Sequence, residues 1–371
     1  MRTKSLSIFA ALCGCCLFGN SSVARNWVEE PAPMPPPGFS FGIAAVTDTD
    51  VWSVGYGLQG GLNEVITQHW DGSTWSTVPA QMPPQDPYSF FQGVVALSSR
   101  NVWAVGNSLD SDGVLESNLV EHWDGTSWQI VLSPNVNLRD NVLNAVSAVS
   151  PHDIWAVGVT DTPSGPHRLL PLVLHWDGTA WAIVPTQATG GANLIAVKAI
   201  ASDDVWAVGE QQVTTGHTVT TTTYIQHWNG TSWSIVPSPN GPATDNSLRG
   251  VSGAASNDVW AVGVTGPSFT DNGALAMHWD GAAWTIVPTA PTSGGDPLFA
   301  VLAVTPKNVW AVGAIAGAPL TERWNGTAWS IFPTPVVEPG AELLAIALSR
   351  DRSLWTAGSQ SLDELFLKLA R

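Results

Sequence analysis

Short apolar runs recur along the chain in sets of four, separated by polar or glycine-bearing turns. Each set begins with a small residue: Gly42, Gly93, Ala145, Ala196, Gly250, Ala300 or Ala345. A β-branched residue follows it every time: Ile43, Val94, Val146, Val197, Val251, Val301 or Ile346. Ten residues after the small position stands Trp52, Trp103, Trp155, Trp206, Trp260, Trp310 or Trp355, inside a V-W-A-V-G-like run that ends on glycine. A third run ends in His-Trp, and a fourth opens on tryptophan and reads like W-S-I-V-P. Runs this short and this rich in β-branched residues predict strands, and their weak alternation predicts sheets covered on both faces. The small residue suits a strand where backbones from several sheets crowd together.

The third and fourth runs are joined six times by one motif: Trp70 to Trp75, Trp123 to Trp128, Trp176 to Trp181, Trp228 to Trp233, Trp279 to Trp284 and Trp324 to Trp329. Its Asp-Gly or Asn-Gly pair predicts a tight hairpin, since these residues reach positive φ most cheaply. Asp50, Asn101, Asp153, Asp204, Asp258 and Asn308, two residues before the V-W-A-V-G tryptophan, predict Asx turns between the first and second strands. Four strands in about fifty residues is the measure of a propeller blade.

The chain ends decide how the ring closes. A seventh set, Ala345 to Gly358 and then Leu365 to Leu369, stops after three strands and has no Asp-Gly hairpin. Trp27 to Pro36 matches Trp75 to Pro84, which places a spare fourth strand at the other end. The expected fold class is therefore all-β, a seven-bladed β-propeller of four-stranded antiparallel blades spanning residues 25–371. Its ring is closed by the N-terminal strand completing the C-terminal blade, which leaves no open sheet edge.

Composition agrees with this picture and adds a compartment. Charged residues make up 12%, and there are 35 Gly, 27 Pro and 20 Trp against 3 Tyr, so the tryptophans read as a repeated packing device. Residues 1–24 carry Arg2 and Lys4, an apolar run from Leu6 to Phe18, and Ser22-Val23-Ala24, the pattern of a signal peptide cleaved after Ala24. An alternative takes Leu12 to Cys15 as a lipoprotein signal, with Cys15 carrying a lipid anchor. The expected location is secreted, extracellular or cell-envelope. All three cysteines fall in this segment, so the remainder has neither disulfides nor thiolate metal ligands. The full chain has net charge −16, which disfavours nucleic acid as a partner. No later apolar run has the length of a transmembrane helix, and the protein is expected to be a monomer.

The runs V-W-A-V-G, H-W-D-G-T-S-W and S-I-V-P-S-P resemble the kelch-type repeat of the galactose-oxidase-like propellers across the whole chain after the leader. Two departures stand out: a single glycine replaces the kelch Gly-Gly pair, and a tryptophan replaces the tyrosine before the turn. A shared fold licenses no shared chemistry. A copper-radical oxidase of that kind needs a tyrosine crosslinked to cysteine, and no cysteine lies beyond residue 16. A sialidase-like site asks for several arginines at the channel mouth, and only Arg249 stands suitably. A calcium-dependent lactonase-like centre asks for carboxylates on the inner strands, where only the amides Gln92 and Asn144 are found. No hydrolase, zinc-protease or phosphate-loop motif is present.

Five blades carry a histidine before the hairpin, at His69, His122, His175, His227 and His278, with Arg323 in the sixth. Equivalent third-strand residues lie roughly 13 Å apart from blade to blade, too far to share a metal. They read as structural imidazoles, and neither a metal site nor a cofactor is expected.

Function should lie where the repeats disagree. The spacing from the V-W-A-V-G tryptophan to the first hairpin tryptophan is 18, 20, 21, 22, 19 and 14, so variation sits between the second and third strands. Those loops share a face with the links from one blade to the next. Tyr56, Glu64, Asp110, Asp112, His167, Arg168, Glu210, His217, Tyr224 and Asp271 occupy these variable stretches. One residue before each small position stand Phe41, Gln92, Asn144, Ile195, Arg249, Phe299 and Leu344, near enough to the axis to converge. The candidate ligand-binding residues are Gln92, Asn144, Lys198, Arg249 and Phe299. The expected function is a non-enzymatic binding module for a glycan, cell-wall or protein ligand. An extracellular hydrolase or lyase at the channel mouth, or a purely structural surface protein, are the alternatives.

Overall fold

The computed structural model describes residues 26–33, 38–59, 62–83, 86, 88–110, 112, 115–136, 140–161, 169–187, 190–266, 273–292, 295–361 and 363–369. The expected leader at residues 1–24, with Cys15, lies outside them. Every regular element among the described residues is a β-strand, and none is a helix long and apolar enough to cross a membrane.

The strands group into seven four-stranded antiparallel blades, of which the fourth and fifth are linked into one sheet by a parallel pairing of Thr221 with Asp245. The first contains Gly38–Thr47, Asp50–Gln59, Leu62–Trp70 and Trp75–Thr77, from the axis outward. Equivalent sets occupy residues 88–130, 141–183, 192–235, 245–286 and 298–331. In the seventh blade Glu342–Leu348, Leu354–Gln360 and Asp363–Leu369 are joined by Trp27–Glu29 as the outer strand, with Trp27 opposite Leu369 and Glu29 opposite Leu367. The molecule is thus a seven-bladed propeller closed by its N-terminal strand.

The same indole packing operates at every joint. Trp52 stacks on His69 of its own blade at 4.5 Å and meets Trp123 and Trp128 of the next blade at 4.9 and 5.4 Å. At the closing joints Trp355 packs on Trp70 and Trp75, while Trp310 meets Trp27 edge-on at 5.8 Å. The spare N-terminal tryptophan therefore does the work of a hairpin tryptophan in a blade that lacks the hairpin. Trp27 is buried, and its indole N–H donates to Thr321 Oγ1 across the joint at 3.2 Å.

The six motif turns differ from a two-residue hairpin. Trp70 pairs with Trp75, so four residues form the loop. Asp71 Oδ1 accepts from Ser73 N, Ser73 Oγ and Thr74 N at 2.8, 2.7 and 2.9 Å, and Gly72 takes φ of 101°. Those bonds hold the Asp71 carboxyl at a pKa of about 2. Asn229 and Asn325 accept in the same way. One side-chain oxygen suffices, which explains why Asp and Asn alternate at this position.

Polar side chains also clamp blade to blade. Glu121 is 0% exposed on its third strand and accepts from Gln81 N, in the chain leaving the preceding blade, at 3.0 Å. The Gln81 side chain accepts from Ile130 N at 3.0 Å, which caps the open edge of that outer strand. Glu322 accepts from Ala290 N in the same manner at 3.1 Å. Burial pushes both carboxyls up to about 7. The equivalent positions hold Gln68, Leu174, Gln226 and Met277, all buried.

Candidate functional site

One irregularity repeats in all seven inner strands. Pairing with the second strand skips a residue between Ser40 and Gly42, Phe91 and Gly93, Leu143 and Ala145, Leu194 and Ala196, Leu248 and Gly250, Leu298 and Ala300, and Leu343 and Ala345. The skipped residues are Phe41, Gln92, Asn144, Ile195, Arg249, Phe299 and Leu344. A β-bulge re-aims the side chain of its extra residue, and all seven are half-buried. The opposing glycine is a consequence of the bulge. A Cβ at Gly55 would lie 1.7 Å from Phe39 O, and the other six V-W-A-V-G glycines meet an equivalent carbonyl at 1.8 to 2.0 Å. The small position after the bulge is where the next inner strand passes: a Cβ at Gly93 would stand 3.1 Å from Ala145 Cα.

The bulges lie toward the start of each inner strand, on the face that carries the second-to-third-strand loops. Gln92 has no hydrogen-bond partner among the described residues. Asn144 donates to Asn193 Oδ1 at 3.0 Å and to Leu194 O at 2.7 Å, which ties the third blade to the fourth. Arg249 lies 3.7 Å from Glu210 of the fourth blade, and its Nε is buried without an acceptor. Phe299 is half-buried on the sixth blade. Lys198 sits apart, three residues beyond the fourth bulge and opposite Trp206. Burial lowers its ammonium pKa. Its equivalents Ser147 and Ser252 accept backbone N–H groups from the next blade. Gln92, Asn144, Arg249 and Phe299 share the bulge register; Lys198 does not.

The structure adds an aromatic cluster on the first two blades. Tyr56 is its hub, with Phe39 stacked on it at 5.2 Å, Phe41 at 5.6 Å and Phe90 of the next blade edge-on at 5.1 Å. All four are half-buried, and the Tyr56 hydroxyl has no partner among the described residues. Phe39 and Phe90 occupy one register position in neighbouring blades, each three residues before the small residue, and this was the signal available in the sequence. Around the ring the mouth is amphipathic. Phe299, Leu344, Phe41, Tyr56 and Phe90 form one arc, while Gln92, Asn144, Asn193, Glu210 and Arg249 form the other, with the apolar bulge residue Ile195 among them.

Of the variable-stretch residues, Tyr224 is not on the surface. It is 3% exposed and donates to Gln187 O at 2.9 Å, because it pairs with Gly209 at the third-strand position that Ile66, Leu119, Leu172, Leu275 and Leu320 hold in other blades, all buried; beyond it the fourth blade's second and third strands extend into a ribbon ending at Thr215 and Thr218. His217 is exposed at the tip of that ribbon. His167, Arg168 and Asp271 lie outside the described residues.

The repeated histidines are held in place. His69, His175, His227 and His278 bond Asp50, Asp153, Asp204 and Asp258 at 2.8 to 2.9 Å, and His122 bonds Asn101 at 2.9 Å. Arg323 and Lys368 stand at the corresponding positions over Trp310 and Trp355. No group of three potential metal ligands occurs among the described residues. A cleft of about 380 Å³ opens on the opposite face between the fourth and fifth blades, lined by Asp204, Trp206, His227 and Trp279. Its walls are members of the repeated packing set, whereas the mouth is built from residues that differ between blades.

With this geometry in hand, comparison with solved structures is informative about architecture. The chain is similar to a streptogramin B lyase structure, at 15% identity and TM-score 0.61, over 93% of this chain and 98% of that one. It is similar to the WD40 propeller domain of Doa1, at 10% identity and TM-score 0.61, over 94% and 97%. It is also similar to YCF48 bound to D1 peptide, at 13% identity and TM-score 0.56, over 94% and 95%. What they share with it is the fold. At these identities the likeness supports a β-propeller and does not single out the kelch type. No family model matches the chain, and no curated protein matches it.

Proposed function

We propose that this propeller is a binding module whose ligand sits at the channel mouth, on the face that carries the bulges and the variable loops. The observation that carries this reading is the uncovered cluster of Phe39, Phe41, Tyr56 and Phe90. The half-buried tryptophans Trp123, Trp176, Trp228, Trp279 and Trp324 belong to the repeated joint packing, whereas these four aromatic residues recur in no such set, and half-exposed aromatic groups at a concave mouth are the usual anchors of recognition. The bulges support it as well, since they present one variable side chain per blade on an otherwise uniform ring. A protein ligand is compatible with this face, as YCF48 of the same fold is described bound to a peptide. The apolar leader supports export, which places glycan and cell-wall ligands within reach. A catalytic reading of the mouth finds less support, because Asn144 is spent on an inter-blade bond and Arg249 faces Glu210.

A thermal-shift screen against saccharides, cell-wall fragments, peptides and divalent cations with a chelator control tests the proposal. Ligand at a hundredfold its dissociation constant adds about 2.7 kcal/mol. A shift with one ligand class that disappears in Tyr56→Ala or Arg249→Ala is the expected result. A shift that survives both substitutions would place the site elsewhere.

A further inference from the structure

We propose that the mouth takes an uncharged saccharide, stacked on the aromatic arc of the first two blades and hydrogen-bonded by Tyr56 and Gln92. This rests on the reading of the mouth as the binding face, and it commits that face to one chemistry. Three observations select it.

Two polar, neutral groups border the aromatic arc, alongside the carboxylate of Glu64, which pairs across the strands with Gly57. The Tyr56 hydroxyl and the Gln92 amide each lack a partner among the described residues, and each can both donate and accept. Gln92 stands two residues beyond Phe90 on the same strand, and Tyr56 touches Phe90 at 5.1 Å. A pyranose ring matches this pairing. Its axial C–H bonds make a flat apolar face suited to an aromatic ring, and its rim of hydroxyls donates and accepts.

Three carboxylates at the mouth are engaged by side chains of the fold. Arg249 lies 3.7 Å from Glu210. Glu342 accepts from Ser359 Oγ at 3.5 Å. Glu364, on the seventh blade behind the aromatic arc, is 6% exposed and engaged by Ser40 Oγ at 3.2 Å and by the Gln68 amide. Each of the three thus has a side-chain partner within the protein.

The acidic loops on this face are likewise occupied. Asp140, Asp245 and Asp296 accept from the backbone N–H of Glu116, Thr221 and Ala274 at 3.1, 2.8 and 3.3 Å, where each third strand begins. These three aspartates thus help to hold the backbone of this face. With a net charge of −16 the surface repels polyanions, a restriction that an uncharged ligand escapes.

Titration calorimetry on the full chain with cellotetraose, chitotetraose and maltotetraose tests the proposal, with hexalysine and tetragalacturonate as charged probes. At least one neutral tetrasaccharide is expected to bind. Tyr56→Ala should weaken it at least tenfold and Gln92→Ala severalfold, with melting temperatures retained. Gln92 has no hydrogen-bond partner among the described residues, so that variant reports on binding even where Tyr56→Ala perturbs the fold. Asp203→Ala, on the opposite face, should leave affinity unchanged. Binding of a charged probe alone, lost in Tyr56→Ala, would overturn the saccharide assignment and leave the mouth intact as a binding face. Saccharide binding indifferent to both mouth substitutions, or no binding by any probe, would overturn the saccharide site and the mouth together.

Discussion

Replacing Glu121 by glutamine should make the propeller more stable at pH 8 and change it little at pH 5. Glu121 is 0% exposed, one carboxyl oxygen accepts from Gln81 N, and the other has no partner. Burial outweighs that single bond and pushes its pKa from 4.5 to about 7. The folded protein therefore holds a proton that the unfolded chain releases near 4.5, and stability is lost as pH rises through the window between those values. At about 1.36 kcal/mol per pH unit, the ionised carboxylate costs about 3 kcal/mol at pH 8 and under about 1 kcal/mol at pH 5. Glutamine keeps the acceptor for Gln81 N and carries no charge, and the ring already holds Gln226 at the equivalent position with its amide donating to Gln187 O. With an unfolding entropy of about 2.1 cal/mol/K per residue over about 340 residues, 3 kcal/mol corresponds to roughly 4 °C. The assay is the difference in melting temperature between Glu121→Gln and wild type from pH 5 to 8. Taking the difference cancels groups common to both, such as His122, whose pKa is lowered by burial. A difference that is constant with pH, or largest at pH 5, would refute the reasoning.

Other joints give sharper contrasts. Trp27→Ala should cost about 3 to 5 kcal/mol, as much as Trp128→Ala in an internal joint, and a negligible change in the denaturation midpoint would show that the N-terminal strand does not close the ring. Gly106→Ala places a Cβ 1.8 Å from Phe90 O and should abolish soluble folded protein, whereas Gly273→Ala, with its nearest neighbour at 3.7 Å, should express and melt normally. Asp124→Asn should leave the melting temperature unchanged and Asp124→Ala should lower it, because the turn uses one side-chain oxygen to hold Thr126 and Ser127. Equal effects of the two substitutions would point to the charge instead.

The fold was legible because repetition makes each element argue seven times. The small residue, the V-W-A-V-G tryptophan and the motif turn recur in fixed register, so the blade, the ring and the swap of Trp27 into the last blade could be read from sequence. The structural role of His69 and its equivalents followed from the same periodicity. The bulge was hidden, since its trace in sequence is only a glycine whose opposing carbonyl lies sixteen residues upstream. The aromatic cluster was hidden for a related reason. Phe39 and Phe90 share a register, but only the fold shows that Tyr56 bridges them. Tyr224 differs from the expectation because it stands four residues before the hairpin tryptophan, the buried third-strand position that holds Ile or Leu in the other blades. Glu121 and Glu322 gave no signal, because the positions that clamp the blades hold Gln, Leu or Met elsewhere.

The central claim, that function resides on the bulge face, is tested most directly by hydrogen exchange. The chain would be compared free and saturated with whichever compound gives the largest thermal shift. Exchange is expected to slow in residues 38–46 and 88–97, where Phe39, Phe41, Phe90 and Gln92 lie, and to stay unchanged in the motif turns at 71–74 and 124–127. Slowing confined to those turns would put the ligand on the opposite face and contradict the account.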